Sequence, residues 1–148
     1  MIWKCDCYWK LIKTSAPKHM RSGRKIILFI ARWYPDRHDP MPGLFVRRHA
    51  EAISLKSDVD VLYVVADPSL KPGHHLIEQF TEGPIREFKI YFGKHRLSFL
   101  NALGFLRWYF HGLRLTGKPD ITHVHVLTRT ALPALWLRLT AGVPYLIT

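Results

Sequence analysis

The fold is decided by residues 119–148, which read PDITHVHVLTRTALPALWLRLTAGVPYLIT. The short apolar run Asp120–Val126 predicts a buried strand, and Arg129–Ala141 has the length and apolar content of a helix. Gly142 follows as a helix stop signal, and Val143–Thr148 has the composition of another strand. A strand, a helix and a strand in this order predict a βαβ unit and a mainly parallel sheet.

The same alternation of strands and helices is predicted upstream. The strands are Lys25–Ala31, Val59–Ala66 and Arg86–Phe92, the last with the alternating pattern of a strand nearer an edge. Two helices are predicted to begin at Leu44 and at Arg96. Since crossovers between parallel strands are right-handed, these elements favour a Rossmann-like, doubly wound α/β sheet with strand order 3-2-1-4-5.

Residues 67–84, between the second and third predicted strands, contain three prolines and two glycines. Both residue types interrupt regular structure. We expect a long connection here, with one helical turn around Leu76–Phe80.

The charge is distributed unevenly along the chain. The formal net charge is +11, and residues 1–25 hold seven of the basic residues against one acidic residue. More than half of the excess therefore lies in residues 1–25. We divide the chain into a basic leader, residues 1–24, and a domain at 25–148. We expect the leader to be disordered or an upstream extension, with Met20 as an alternative start. The domain itself is only mildly basic, which argues against a nucleic-acid-binding groove.

Cys5 and Cys7 are the two cysteines of the chain. One such pair cannot supply the four ligands of a structural zinc site, and scarce cysteine is typical of a reducing compartment. The leader also lacks the apolar core of a secretory signal. The sequence therefore predicts a cytoplasmic protein.

Gly43 marks the first candidate ligand contact. In an open α/β sheet, ligands bind beyond the carboxyl ends of the strands where the strand order reverses, here between Lys25–Ala31 and Asp120–Val126. Glycine before a helix lets a phosphate approach the helix N-terminus. The alternative is that Gly43 only allows the chain to turn. The loop has neither G-x-G-x-x-G nor a P-loop motif, which disfavours dinucleotide dehydrogenases and P-loop enzymes.

His123 and His125 share one face of the predicted strand Asp120–Val126. Buried imidazoles are costly unless they are hydrogen-bonded, so three interpretations remain open. They are satisfied core histidines, two ligands of a metal ion, or a functional pair. In the last case His125, nearest the carboxyl end, binds a substrate hydroxyl or transfers a proton. No further metal ligands occur at suitable spacing, so we expect no metal.

Polar side chains follow this strand at Thr128, Arg129 and Thr130. Hydroxyl groups and a guanidinium at a helix N-terminus suit a polar or anionic ligand. Ordinary helix capping by Thr130 with a solvated arginine is the alternative.

The predicted helix Arg96–Leu115 is rich in aromatic and basic residues. Such a helix can lie peripherally on a membrane that contains anionic lipids. A helix that packs on the core and leaves its basic face in solvent is the alternative. No stretch of the sequence reaches 18 uncharged apolar residues, so no spanning helix is predicted.

Two segments together resemble the N-terminal domain of family-four glycosyltransferases with the GT-B fold. They are KIILFIARWYPDRHDPMPGLFVRRHAEAI at 25–53 and KPDITHVHVLTRTALPALWLRLTAGVPYLIT at 118–148. The shared features are W-Y-P, P-G-x-F-V, P-D-I-x-H-x-H and G-V-P-Y, within a resemblance that covers about 25–148. It implies the Rossmann-like, acceptor-side half of an enzyme whose second domain holds a nucleotide sugar.

The resemblance also implies an activity and roles for particular residues. Such enzymes usually retain the anomeric configuration, need no metal or other cofactor, and transfer a sugar to a glycan or lipid-linked acceptor, often at the inner membrane face. Gly43 would lie near the donor diphosphate and His125 beside the transferred sugar, with His123, Thr128 and Arg129 as substrate contacts. Relatives continue with a donor domain, so we expect a fragment that is inactive alone. A non-enzymatic module that binds a glycan or lipid headgroup is the alternative.

Overall fold

The computed structural model describes residues 23–126 and 128–148. This part of the chain forms six strands and three helices. The strands are β1 (Ile26–Ala31), β2 (Asp58–Asp67), β3 (His75–Glu82), β4 (Ile85–Gly93), β5 (Ile121–His125) and β6 (Tyr145–Ile147). The helices are α1 (Leu44–Ser54), α2 (Ser98–Thr116) and α3 (Ala131–Ala141).

The strands form one sheet in the order β3-β4-β2-β1-β5-β6. All neighbouring pairs are parallel except β3 and β4, which are antiparallel. The five parallel strands lie in the order β4-β2-β1-β5-β6. They are the five predicted strands in their predicted order, 3-2-1-4-5, so the prediction of a Rossmann-like, mainly parallel α/β sheet is confirmed. Because β1 lies between β2 and β5, the strand order reverses at the carboxyl end of β1, where ligands bind in open α/β sheets.

Strand β3 corrects the prediction for residues 67–84. Instead of an irregular connection with a helical turn, His75–Glu82 forms an antiparallel strand along the whole of β4. The two strands join through Gly83-Pro84, with Gly83 in a left-handed conformation at φ 55°. The prolines and glycines therefore mark the ends of a hairpin. Since β3 covers its outer side, β4 is not an edge strand.

Helix α1 packs on one face of the sheet and helices α2 and α3 pack on the other, which gives two hydrophobic cores. The α1 core is built from Phe29, Ala31, Tyr34, Val46, Ala50, Val59, Val61, Tyr63 and Ile85. The α2–α3 core is built from Leu28, Ile30, Leu62, Val64, Phe88, Ile90, Phe92, Tyr109, Leu113, Val124, Ala134, Leu137 and Val143. Successive residues of β1 thus enter opposite cores, as strand geometry requires.

The predicted basic leader lies outside the described residues apart from Gly23 and Arg24. The guanidinium of Arg24 donates to the carbonyl oxygens of Ser54, at 2.6 Å, and Ser57, at 3.2 Å. It also lies 3.9 Å from the Asp58 carboxylate. Arg24, which the sequence analysis assigned to the leader, is therefore packed against the folded domain.

Candidate active site

His123 and His125 lie on the face of β5 that packs toward α1, and they share that face as predicted. Their rings are stacked with centroids 4.1 Å apart, and both rings also contact Phe29 of β1. The two residues are only 5% and 3% exposed. The pair is therefore buried at the carboxyl end of the central strands.

Helix α1 places two further rings over this pair. The Phe45 centroid lies 6.3 Å from that of His125, and the His49 centroid lies 5.7 Å from His123 and 5.8 Å from His125. Phe45 and His49 are one helical turn apart, so both reach the same side of α1. His49, His123 and His125 form what we call the histidine cluster. The sequence analysis missed His49, although its spacing from Phe45 was the available signal.

Thr148 connects the two strand histidines through its hydroxyl group. Its Oγ1 lies 3.0 Å from Nε2 of His123 and 3.5 Å from Nδ1 of His125. The Nε2 atom of His125 is buried and has no hydrogen-bond partner among the described residues. An unpaired buried polar atom costs about 1–3 kcal/mol. Because this nitrogen is also closed off from solvent, a ligand hydroxyl could pair with it only after the covering side chains move.

His123 and His125 favour the neutral form of the imidazole ring. Burial, together with the neighbouring His123 and His49, lowers the pKa of His125 to about 4. Burial and His49 likewise lower the pKa of His123. At neutral pH His125 is therefore suited to hydrogen bonding rather than to pairing with an anion.

The arrangement of the cluster differs from that of a metal site. Within residues 23–126 and 128–148, no group of three or more His, Cys, Asp or Glu side chains is placed to hold a metal ion. The absence of a metal from the reaction stays a prediction.

The stability of the domain should decrease as the pH falls from about 6.5 to about 4. In that window the unfolded chain protonates His125 near its usual pKa of about 6.5, whereas the folded chain does not. The contribution of His125 to the free energy of unfolding should therefore be fully present above pH 6.5, and about 3 kcal/mol of it should be lost by pH 4. Urea denaturation at pH 7 and pH 5 measures this dependence, and His125→Gln should have a clearly smaller slope. An equal slope in both proteins would contradict the assignment.

Gly43 occupies the N-cap position of α1 with φ 69° and no side-chain hydrogen bond to the helix. A Cβ atom here would lie 2.2 Å from the carbonyl oxygen of Trp33. Close packing of the chain on itself thus accounts for glycine, and ligand approach at Gly43 stays a prediction. Phe45, two residues later, reaches His125, so the turn at Gly43 lies beside the tip of β5.

The residues after β5 fulfil the predictions only partly. Thr130 occupies the N-cap position of α3, but its hydroxyl donates to the Val126 carbonyl at 3.0 Å instead of capping the helix. Val126 itself has φ 73°, which is rare for a β-branched residue and turns the chain sharply away from the sheet. Thr128 and Arg129 are exposed at the start of α3. Within the described residues, no hydrogen bond or ion pair joins them to the histidine cluster.

A buried carboxylate, Asp67 at the carboxyl end of β2, fixes the loop that follows β1. Asp67 is 1% exposed and accepts hydrogen bonds from Arg37, from His38 at 2.9 Å, and from the backbone and side chain of Ser69 at 2.8 and 2.6 Å. Burial alone would raise the pKa of Asp67, but these hydrogen bonds outweigh it and hold the pKa well below its usual range. The sequence analysis missed this network, in which Arg37 and His38 lie 30 and 29 residues from Asp67 in the sequence.

Asp67→Asn should destabilise the domain by about 2 kcal/mol and loosen the loop. The substitution removes the charge that Arg37 and His38 both bind, and it leaves a neutral amide against the guanidinium. Urea denaturation measures the loss, and limited trypsin digestion reports increased cleavage at Arg37. Asp39→Asn, an exposed change in the same loop, is the matched control and should leave both measurements near wild type.

Comparisons of the chain with protein-family models, curated proteins and solved structures found no match. The resemblance to family-four glycosyltransferases therefore depends on the motifs in the sequence. The α/β architecture and the geometry of the histidine cluster stand independently of that resemblance.

Proposed function

We propose that residues 25–148 form the acceptor-side half of a retaining GT-B glycosyltransferase. The observation that carries the proposal is the adjacency of two sequence-distant elements where the strand order reverses. The helix turn at Gly43 and the strand tip at His125 lie side by side, with Phe45 between them at 6.3 Å from the His125 ring. Sugar transfer needs a diphosphate contact and a sugar contact within one cleft, and these two elements supply candidates for both.

The helix N-termini at this edge of the sheet support binding of a donor diphosphate. Helices α1 and α3 both begin here, and neither has a side-chain cap hydrogen bond or an acidic residue in its first turn. Their partial positive charge is therefore available to an anion. The exposed Arg129, just before α3, adds a full positive charge.

The buried His125 supports recognition of the transferred sugar. Its Nε2 has no partner among the described residues, so it can donate to or accept from a sugar hydroxyl, according to the tautomer of the neutral ring, once the side chains that cover it move aside. In the transfer, the bond between the sugar and the diphosphate breaks as a bond to the acceptor hydroxyl forms, and the acceptor proton leaves with solvent or the departing phosphate. A neutral imidazole would hold the sugar in place during this exchange.

The acceptor in this proposal is a glycan or a lipid-linked hydroxyl compound, handled in the cytoplasm or at the inner membrane face. Nucleotide-sugar binding is completed by a second domain, as the resemblance implies. The chain 1–148 alone should therefore bind acceptor-type glycans without turning over nucleotide sugars.

The test begins with the genomic sequence that follows codon 148. We expect an in-frame continuation that encodes a second α/β domain with an acidic E-x7-E motif. The protein from the extended frame should transfer sugar from one of a panel of nucleotide sugars, and proton NMR of the product should show retained anomeric configuration. Glycan or headgroup binding without transfer, in the chain and in any extended form, would instead identify a non-enzymatic binding module.

A further inference from the structure

Strand β3 forms one edge of the sheet, and within the described residues nothing pairs with its outer side. It is eight residues long, HLIEQFTE, whereas β6 at the other edge has three. Natural edge strands avoid pairing with other chains by being short or by carrying proline or lysine. Because β3 is long and contains neither residue type, its outer side can add a further strand.

The pairing of β3 with β4 shows which of its backbone groups point outward. The Gly93 amide donates to the His74 carbonyl at 2.9 Å, so positions 74 and 93 form a hydrogen-bonded pair. In an antiparallel ladder such pairs alternate with pairs that are not hydrogen-bonded, and the same register continues along β3. The residues whose backbone N–H and C=O groups point away from β4 are therefore His75, Ile77, Gln79 and Thr81.

Two apolar side chains of β3 are exposed at this edge. Leu76 is 36% exposed and Phe80 is 51% exposed. They are four residues apart, so both lie on the same face of the strand. A long edge strand with exposed apolar side chains is typical of a surface that pairs with another chain.

The backbone of β3 is suited to pairing with a second copy of itself. Two copies that run antiparallel can be aligned so that Glu78 of one lies opposite Glu78 of the other. His75 then lies opposite Thr81 of the second copy, and Ile77 lies opposite Gln79. All four outward-pointing residues of each copy gain a hydrogen-bonding partner in this register.

The side chains on the other face of β3 match in the same register. Leu76 lies opposite Phe80 of the second copy, and His74 lies opposite Glu82. Cross-strand pairs of an aliphatic with an aromatic residue, and of a basic with an acidic residue, are favourable. A shift by two residues in either direction places Leu76 opposite Glu78 or Glu82 and leaves one outward-pointing residue without a partner. The sequence of β3 is therefore self-complementary in one register.

One contact of this register is unfavourable. The two Glu78 side chains lie opposite each other at the two-fold axis, and like charges in this position weaken strand pairing. Lys89 of β4 lies directly opposite Glu78 within each chain and adds a positive charge on the same face. The Glu78 contact occurs in this register alone, so it provides a specific test.

The outer sides of α2 and α3 are less suited to a second copy. The aromatic rings of α2 mostly pack inward, because Tyr109 is buried and Phe105, Trp108 and Phe110 pack against the core. The core-packing alternative is therefore correct for these four rings. None of the helices in the described part of the chain has the length and apolar content to cross a bilayer. Neither α2 nor α3 contains an aspartate or glutamate, so two copies of their surface would bring like charges together.

We propose that two copies of this chain associate through β3, as antiparallel strands related by a two-fold axis. The two sheets would join into one continuous sheet, and the same surface of each copy would contact the other, as in most symmetric dimers. Self-complementarity favours a second copy over a strand from another protein. Strands β4, β2 and β1 separate β3 from β5, so the interface lies away from the histidine cluster. The proposal does not depend on sugar transfer.

Size-exclusion chromatography with light scattering tests the proposal on the full chain, over the whole range of concentrations at which it stays in solution. The wild-type chain should be a dimer at the upper end of that range. Gln79→Pro removes an outward-pointing N–H and no bond to β4, and it should weaken the dimer about 30-fold, because two hydrogen bonds are lost across the axis. Gln79→Ala keeps the backbone N–H and is the matched control, so it should associate like the wild type.

Charge substitutions test the register. His74→Glu places a carboxylate opposite Glu82 of the other copy at two positions and should weaken the dimer about 10-fold. Adding Glu82→Lys to this variant restores opposite charges and should return the dimer at least to wild-type strength. Glu78→Gln removes the unfavourable contact at the axis and should strengthen the dimer about 3-fold. Circular dichroism verifies that each variant is folded.

A wild-type chain that is monomeric at every concentration would overturn the proposal. So would a dimer that a folded Gln79→Pro variant leaves intact, because another surface would then hold it. If the proline variant is unfolded, the charge variants decide, and a His74→Glu dimer as strong as the wild type would also overturn the proposal. Failure of Glu82→Lys to restore the His74→Glu dimer would contradict the register, and with it the self-complementarity on which the proposal rests.

Discussion

Gly43→Ala is expected to destabilise the domain by about 4 kcal/mol, the largest loss that we predict for a single added methyl group. Two costs combine at this position. The left-handed backbone at φ 69° disfavours any side chain by about 1–2 kcal/mol. The new Cβ would also lie 2.2 Å from the Trp33 carbonyl oxygen and 2.7 Å from the Tyr34 nitrogen. Both neighbours are backbone atoms, so relief requires moving the loop or the start of α1, with an overpacking cost of about 1–3 kcal/mol.

Gly142→Ala is the matched control for this substitution. Gly142 ends α3 with nearly the same conformation, φ 68°, but nothing lies within 4 Å of the position that its Cβ would take. Only the conformational cost of about 1–2 kcal/mol should therefore remain. Urea denaturation of both variants with an unchanged m-value measures the difference. Similar losses for the two glycines would contradict the close packing of Gly43 against Trp33.

The sequence was sufficient to predict the parallel part of the sheet. Strands buried on both sides produce continuous apolar runs such as Lys25–Ala31, and right-handed crossovers then leave few possible orders. Strand β3 was not predictable in this way. It is largely exposed, so its sequence has no strong apolar pattern, and its formation depends on the hydrogen-bond ladder that β4 supplies. Local sequence carries little information about such an edge strand.

The candidate site was predictable where it depends on strand geometry. Alternation along β5 places His123 and His125 on one face, and the strand order places Gly43 near them. The side chains that cover His125 were not predictable, because Phe45, His49 and Thr148 come from other elements of the chain. The same reason applies to Asp67, whose partners lie in the loop after β1. Contacts between distant side chains require coordinates.

In the complete glycosyltransferase that we propose, His125→Ala should reduce kcat by about 10²-fold, the contribution of one well-positioned catalytic group. Alanine removes the Nε2 atom that we propose holds the transferred sugar, while Gly43 and the two helix N-termini that we propose bind the diphosphate remain. The KM for the nucleotide sugar should therefore change little. Initial rates at saturating donor and acceptor measure kcat, and circular dichroism with urea denaturation at pH 7 verifies that the variant is folded.

Two further measurements separate a role in positioning the sugar from a role in packing. His125→Gln keeps a hydrogen-bonding group near the position of Nε2, so it should recover part of the lost rate, whereas a packing role predicts no such recovery. His49→Ala removes the exposed imidazole of the cluster and should retain most of the activity. Because the pKa of His125 is about 4, kcat of the wild-type enzyme should not vary with the ionisation of this residue between about pH 6 and 8. A folded His125→Ala enzyme with unchanged kcat would remove His125 from the mechanism and leave the histidine cluster as part of the core.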